Sequence, residues 1–288
     1  MKAKILCGIT AVLLGFALLH FARNMEKAVA ADQMYSVEMR EKIRNATVQI
    51  KMEIPHPDKN ITGAMLRAKG LGSLIQWGEE TLLVTHNHWG EFLQDATAIE
   101  FWDAGNQLLK VISGVEFKSL IRYRDAGTLV LQAPDGIGLP PAPAFLEDAS
   151  GLQAGEVVFL AYRQTPDLKN VAIIEATVEK VSTFQGLPAY TLRSLNGEPI
   201  KGGDSGGGVW HDGQLVGNLW ATVELKDDPL IAILTGDAEQ TTLKASNKSY
   251  AAIVPAIAQF TQPVAGSASG VRNDTSAGSH YRNTIGVE

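Results

Sequence analysis

Residues 203–208 read Gly-Asp-Ser-Gly-Gly-Gly and place the hydroxyl of Ser205 on a bend rich in glycine. Glycines let a loop turn its main-chain N–H groups inward, and they let a bound group approach closely. Acyl transfer requires such a nucleophile, a base, a group that orients the base, and donors for the developing oxyanion. Plain hairpin loops can also contain glycine and serine, so the rest of the chain must supply the base and the orienting acid.

The composition is that of an ordinary globular protein. The chain has 288 residues, 45% of them hydrophobic and 19% charged, which suffices for one large or two small β domains. A formal net charge of −6 gives no basic footprint, so nucleic acid is not an expected partner. The sequence shows no metal-ligand spacing and no glycine loop before a helix. We therefore expect neither a metal nor a cofactor.

The N-terminus is typical of an export segment. Two lysines precede an apolar run over residues 5–22, and a small-residue cleavage signal follows at 28–30. The run is also long enough for a membrane anchor, so cleaved secretion and retained anchoring both stay open. We expect residues 1–31 to be a signal peptide or N-terminal anchor, with everything after them exported. The only cysteine, Cys7, lies in this run, so the exported part has no disulfide of its own.

Short β-rich segments with turn signals between them follow an amphipathic lead-in at 32–45. This pattern predicts an all-β fold, although periodicity by itself would equally allow a sandwich or barrels. The predicted strands cover residues 47–52, 72–77, 81–85, 97–102, 108–111 and 127–132, and then residues 156–162, 171–181, 189–192, 207–210, 214–223 and 230–234.

A proline-rich break at 140–143 separates the two sets of strands. It predicts one domain over residues 46–147 and a second over 148–260. Within the second domain, residues 249–260 are predicted to form a short closing helix. The composition of residues 261–288, rich in Gly, Ser, Asn and Thr, predicts a flexible tail.

Two further motifs supply a base and an acid. Residues 83–89, Leu-Val-Thr-His-Asn-His-Trp, leave a strand with His86 and His88, and Asp125 precedes the apolar strand that ends near residue 132. Here the chain resembles the trypsin-like serine proteases. Thr-His-Asn-His at 85–88 is similar to the Thr-Ala-Ala-His of that family and to the Thr-Asn-Asn-His of high-temperature-requirement proteases. The segment from Asp125 onward resembles the family's Asp-Ile-Ala-Leu-Leu strand.

The order His88, Asp125, Ser205 is that of this family and differs from the order in subtilisins and α/β-hydrolases. Covering about residues 46–260, the resemblance implies two six-stranded antiparallel β-barrels of the chymotrypsin-like type with a short C-terminal helix. It implies a serine endopeptidase that cleaves peptide or protein substrates through an acyl-enzyme. His88 would be the base, Asp125 the orienting acid, and the N–H groups of Gly203 and Ser205 the oxyanion hole. We expect a monomer.

Asp204 and Gly208 depart from the family pattern. The family commonly has proline where this chain has Gly208. In trypsin-type zymogens the aspartate matching Asp204 pairs with an N-terminus of the Ile-Val-Gly-Gly type, released by cleavage after a basic residue. No such sequence follows the basic residues at 40–44. We therefore predict that no activation cleavage is needed and that Asp204 is hydrogen-bonded locally.

The resemblance also points to substrate-binding residues. Residues 218–222 resemble the family's Val-Ser-Trp-Gly-Ser wall strand, which implies substrate contacts from Leu219, Trp220 and Ala221. Trp220 could equally be a core residue. Ile200 lies where the base of the primary pocket is expected, and no carboxylate accompanies it to receive Arg or Lys. We expect an apolar or small side chain at the cleavage site, or an acidic one through the neighbouring lysine.

Three alternatives remain open from the sequence. Asp125 is equally a common type of turn carboxylate before a strand. His86 is a rival to His88 as the base. A catalytically silent trypsin-like binding domain, or an esterase or amidase on the same scaffold, would share these motifs.

Overall fold

The chain divides into two units, Met1–Glu41 and Lys42–Glu288. The computed structural model describes residues 37–55, 65–87, 96–139, 152–163, 169–184, 186–195, 197, 200, 203–222, 248–253 and 286–287. Helix α1 covers residues 37–45. The leader predicted at 1–31 lies outside the described residues, and none of the helices that the structure describes is long and apolar enough to cross a membrane.

The first half of the larger unit forms an antiparallel sheet. Its strands are β1 (Thr47–Pro55), β2 (Met65–Trp77), β3 (Glu80–His86), β4 (Ala98–Trp102), β5 (Leu108–Ile112), β6 (Ile121–Arg124) and β7 (Thr128–Gln132), with helix α2 (Gly114–Ser119) between β5 and β6. They follow the order β5-β4-β1-β2-β3-β7-β6. In β1, buried Met52 and Ile54 alternate with the more exposed Lys51 and Glu53, as expected for a strand with one face on a core.

The second half closes into a barrel. Its strands are β8 (Val157–Arg163), β9 (Val171–Phe184), β10 (Leu187–Ser194), β11 (Gly208–His211), β12 (Gln214–Thr222) and β13 (Lys248–Ile253), and they close in the order β10-β13-β12-β11-β8-β9. Side chains two residues apart fill the interior, among them Val158 and Leu160 of β8, Val178 of β9, and Tyr190 and Leu192 of β10. Near the C-terminus, β14 (Gly286–Val287) pairs with β2 of the first sheet.

The all-β fold predicted from the sequence is confirmed. A closed six-stranded antiparallel barrel stands beside a second antiparallel sheet. The predicted strands that lie in the described part of the chain are found within a few residues of their predicted bounds, except that β2 begins at Met65, well before the predicted start at residue 72. The predicted strand at 230–234 lies outside the described residues. The domain boundary at 147/148 also lies outside them and stays a prediction.

The predicted closing helix is wrong for residues 249–253, which form part of β13. This strand lies between β10 and β12 and pairs with both, so it supplies the last wall of the barrel. The edges of β10 and β12 supply hydrogen-bond partners for the backbone N–H and C=O groups of this strand. These hydrogen bonds outweigh the helix propensity of its alanines. The rest of the predicted helix, residues 254–260, lies outside the described part of the chain.

Candidate active site

Ser205 lies in the loop that leads into β11, and this loop is fastened to both sheets. The main-chain N–H of Leu71 in β2 donates to the carbonyl oxygen of Ser205 at 2.8 Å. From the other side, the N–H of Gly206 donates to the carbonyl of Leu219 in β12 at 2.7 Å, and the N–H of Leu219 donates to the carbonyl of Gly207 at 2.8 Å. We call residues 203–207 the nucleophile loop. It is held between β2 and β12, with Ser205 nearly buried.

The glycines of the nucleophile loop are required by close packing. Gly206 has φ +86°, and a Cβ on it would overlap the carbonyl oxygen of Leu71 and the hydroxyl of Thr85. The same hydroxyl donates to the Leu71 carbonyl at 2.6 Å. A Cβ on Gly207 would overlap the carbonyl oxygen of Ala161. The loop therefore lies directly against Thr85, three residues before His88 in the chain.

Gly208, which replaces the proline common in the family, is also fixed by packing. A Cβ at this position would overlap Ser73 Oγ and the indole nitrogen of Trp210, and it would lie 2.9 Å from Leu215 Cδ1. All three of these neighbours are buried. A proline ring could not be placed here without moving the core beneath the nucleophile loop.

The segment that carries the candidate base touches Asp125. His88 itself lies outside the described residues, and β3 ends at His86. The rival base His86 is buried in β3, opposite Thr128 of β7. Asn87, which immediately precedes His88, donates its side-chain N–H to the main-chain carbonyl of Asp125. One short segment thus connects the nucleophile loop, through Thr85, to the candidate acid.

The carboxylate of Asp125 accepts three hydrogen bonds from its own neighbourhood. Oδ1 accepts the N–H groups of Gly127 at 2.8 Å and Thr128 at 2.6 Å, and Oδ2 accepts the hydroxyl of Tyr123 at 2.8 Å. Burial, this hydrogen bond and the carboxylate charge together raise the pKa of Tyr123. Asp125 is thus a turn carboxylate. An ionised carboxylate has about four acceptor positions, so the three donors leave room for one more, and its role as orienting acid stays a prediction.

Asp204 is hydrogen-bonded locally, as the sequence predicts, and its partner is Arg163 at the end of β8. The main-chain N–H of Arg163 donates to Asp204 Oδ1 at 2.9 Å, and Nε lies 3.4 Å from the same oxygen. The exposed fractions of the two side chains are 3% and 0%. The guanidinium also packs against Gly203, which has φ +88° and no room for a Cβ. The sequence analysis did not identify Arg163 as the partner of Asp204. The signal that could have indicated it is a basic residue at the end of an otherwise apolar strand.

Of the residues predicted to bind substrate, those at 219–221 lie in β12, and Ile200 lies between β10 and β11. Ile200 and Leu219 are buried members of the barrel core, and Trp220 is also buried. Trp220 sits at a bulge, where the pairing of β12 with β13 shifts between Leu219 and Ala221. Both main-chain groups of Leu219 are bonded to the nucleophile loop. Substrate contact by these four residues stays a prediction, and burial favours the core interpretation for Trp220.

Comparison with solved structures identifies the architecture. The chain is similar to the Rv3671c protease of M. tuberculosis in its active form, with a TM-score of 0.51 and 16% identity over 81% of this chain and 86% of that one. It is also similar to the HtrA-type protease AlgW solved with a decapeptide, with a TM-score of 0.51 and 14% identity over 75% of this chain and 62% of that one. The chain has the chymotrypsin-like fold. The nucleophile loop leads into β11 of the closed barrel, and β3, which ends two residues before His88, lies in the other sheet.

Neither a family model nor a curated protein sequence matches the chain. Among the residues that the structure describes, no group of His, Cys, Asp and Glu side chains could hold a metal ion.

Proposed function

We propose that this protein is an exported serine endopeptidase that cleaves peptide bonds with Ser205, His88 and Asp125. One observation supports this most strongly. The nucleophile loop packs on Thr85 while Asn87 binds the main chain of Asp125, so the segment that leads into His88 contacts both the nucleophile loop and the acid. A glycine-rich loop that only connected two strands of a hairpin would not be expected to contact this segment.

The reaction follows from those three roles. His88 accepts the proton of Ser205 as its Oγ attacks the substrate carbonyl carbon, and the N–H groups of Gly203 and Ser205 donate to the oxyanion. His88 then gives the proton to the leaving amine, and an acyl-enzyme remains on Ser205. In the second half of the reaction, water attacks the acyl carbon as His88 takes its proton, and His88 then returns that proton to Ser205 Oγ as the acyl bond breaks and the acid product leaves. Asp125 orients the imidazole, and it stabilises the imidazolium that forms during acylation and again during deacylation.

The buried Arg163–Asp204 pair supports activity without an activation cleavage. A buried carboxylate needs a partner, or its charge destabilises the fold around it. Here Arg163 supplies that partner from within the barrel and also packs on Gly203, the first residue of the nucleophile loop. The loop therefore does not depend on a new N-terminus to place its carboxylate.

Substrate class and location follow as further parts of the proposal. We expect a peptide or protein substrate with an apolar or small side chain before the scissile bond, and a monomeric enzyme outside the cytoplasm. No membrane contact is proposed beyond the N-terminal segment. A peptide-library profile dominated by Arg would contradict the specificity.

Covalent labelling with a fluorophosphonate tests the proposed function. The chain without residues 1–31 is labelled beside its Ser205→Ala and His88→Ala variants, and His86→Ala serves as the matched histidine control. We expect labelling of the wild-type and His86→Ala proteins alone. Folded wild-type protein that stays unlabelled would indicate a silent binding domain, and turnover of esters without any peptide cleavage would indicate an esterase.

A further inference from the structure

Asn218 joins the two halves of the candidate site. It lies in β12 of the closed barrel, with an exposed fraction of 1%. Its Nδ2 donates to the carbonyl oxygen of Gly127 at 3.2 Å, and its Oδ1 accepts the hydroxyl of Thr128 at 3.0 Å. Both partners belong to the other sheet, in the turn 125–128 whose N–H groups bind the carboxylate of Asp125. We call residues 125–128 the acid turn.

The next residue along β12 holds the nucleophile. The main-chain N–H of Leu219 donates a hydrogen bond to the carbonyl of Gly207, and its own carbonyl accepts one from the N–H of Gly206, both in the nucleophile loop. Two consecutive residues therefore fasten the acid turn and the nucleophile loop to one rigid strand. We infer that Asn218 is a positioning residue, which sets the place of Asp125 relative to Ser205. This inference rests on the proposed function.

The chemistry of the contact favours asparagine. The Gly127 carbonyl needs a donor and the Thr128 hydroxyl needs an acceptor, and a side-chain amide offers both within one planar group. An aspartate here would still accept from Thr128 but would turn an oxygen toward the Gly127 carbonyl. Because the amide is buried, losing it leaves two polar groups of the acid turn without the partners they have in the structure.

Gly127 makes the contact sterically feasible. A Cβ on this residue would lie 2.8 Å from the Cβ of Ala252 in β13 and 3.1 Å from Cδ1 of Leu187 in β10. The acid turn thus packs on the barrel at a distance that only glycine allows, and its carbonyl comes within reach of Asn218. This explains why the strand after Asp125 has glycine where the related proteases have a small apolar residue.

Asn218 is proposed to act through Asp125 rather than on the substrate. Its side chain is buried and engaged with the acid turn, so substrate binding should depend on it little. A displacement of about 1 Å in a catalytic group can reduce the rate by roughly 100-fold. Loss of the amide should therefore lower kcat and leave KM nearly unchanged.

Asn218→Ala is the direct test, and Gln49→Ala is its matched control. Gln49 is likewise a buried amide, with an exposed fraction of 2%, and it likewise joins the two halves of the molecule. Its Nε2 donates to the carbonyls of Asp103 at 3.0 Å and Lys169 at 2.7 Å, which belong to neither the acid turn nor the nucleophile loop. Each variant is compared with wild type in its rate of fluorophosphonate labelling, its kcat and KM, and its urea midpoint.

We expect labelling of Asn218→Ala to slow by at least about tenfold, with little change in KM, while Gln49→Ala is labelled at nearly the wild-type rate. The pH below which labelling is lost should also move down in Asn218→Ala, because a displaced Asp125 stabilises the imidazolium less. Equal rates for the two variants would overturn the positioning role and leave the proposed function intact. Folded wild-type protein without labelling would overturn both.

Thr128→Val keeps the test open if Asn218→Ala does not fold. The substitution removes the hydroxyl that donates a hydrogen bond to Asn218 Oδ1. It keeps the hydrogen bond from the main-chain N–H of residue 128 to Asp125 Oδ1. We expect the same direction of change in kcat and in the pH dependence, with a smaller amplitude. Wild-type values in this variant would overturn the positioning role.

Discussion

At the scale of single residues, Asp204 is a carboxylate that the candidate site holds away from solvent. Its side chain is fully buried, and Arg163 is its charged partner. Arg163→Met would remove this charged partner from a buried carboxylate, and breaking a buried pair in this way costs about 3–5 kcal/mol of the free energy of unfolding. We expect a loss of that size in urea unfolding, together with loss of fluorophosphonate labelling because Arg163 also supports Gly203.

Two further variants separate charge from geometry at this pair. Arg163→Lys keeps the charge but not the planar guanidinium, so it should recover part of the stability and less of the labelling. Arg163→Met combined with Asp204→Asn removes both charges and should recover most of the stability. A single Arg163→Met variant as stable and as rapidly labelled as wild type would contradict the importance of the pair.

Gly206 offers a residue-level test of the contact between the nucleophile loop and Thr85. In Gly206→Ala the new methyl group would overlap Leu71 and Thr85, in addition to the strain of a positive φ. Gly186 is the matched control, since it has φ +83° with open space around its Cβ position. Gly186→Ala should cost about 1–2 kcal/mol from backbone strain alone, and Gly206→Ala clearly more, with loss of labelling. Equal unfolding midpoints would argue against the close packing.

At the scale of elements, β13 is joined by its ladder to the neighbouring strands β10 and β12, and by an ion pair to β9 on the far side of β10. Glu179 of β9 binds Arg193 of β10 and Lys248 of β13 on the outside of the barrel. Burial would raise the pKa of Glu179, but hydrogen bonds and charge from Arg193 and Lys248 outweigh it, so the pKa lies below the ordinary 4.5. Such a carboxylate stabilises the fold above the ordinary pKa, and the stabilisation is lost as the pH falls through the lowered pKa.

Glu179→Gln tests this contribution. Because the side chains are partly exposed, we expect a loss of no more than about 1 kcal/mol near neutral pH. The difference from wild type in urea midpoint should shrink as the pH falls below the ordinary pKa and through the lowered one, because Glu179 becomes protonated and loses its charge. It should also shrink in about 1 M salt, which screens exposed charges. A difference that persists at low pH would assign the effect to packing instead.

At the scale of the whole molecule, the sheet and the barrel lie in one unit, Lys42–Glu288. Within the described part of the chain, main-chain hydrogen bonds join them at two places. Leu71 binds Ser205 at the candidate site, and the N–H of Val171 donates to the carbonyl of Ala104 at 2.9 Å elsewhere. Opening either half alone would expose these buried groups. We therefore expect the two halves to unfold together.

Thiol labelling measures this cooperativity. Residues 32–288 contain no cysteine, so in a chain of those residues Leu83→Cys in the first core and Leu160→Cys in the second each add one buried thiol. In each variant the urea midpoint of thiol exposure should match the midpoint of the circular dichroism signal. A thiol in one half that becomes reactive at distinctly lower urea would show that the halves unfold separately.

Much of this fold could be predicted from the sequence because its signals are local. Alternating apolar residues predicted the strands, and the glycines at 203–208 marked the nucleophile loop before any packing was known. The start of the predicted closing helix failed because Ala251 and Ala252 favour a helix only until two strand edges compete for their backbone groups. Strand β6 was missed because four residues, Ile121–Arg124, are too short to show a period.

The residue types, their order along the chain and the period of each strand are properties of the sequence, and these are enough to name Ser205, Asp125 and His88 as candidates. Which groups meet depends on how the chain folds: Arg163 contacts Asp204, Asn218 contacts the acid turn, and Thr85 contacts Gly206. Those partners lie tens of residues apart, and a buried polar group is satisfied by whichever partner the folded strands bring within hydrogen-bonding distance. Sequence patterns that span only a few residues therefore cannot predict these long-range contacts.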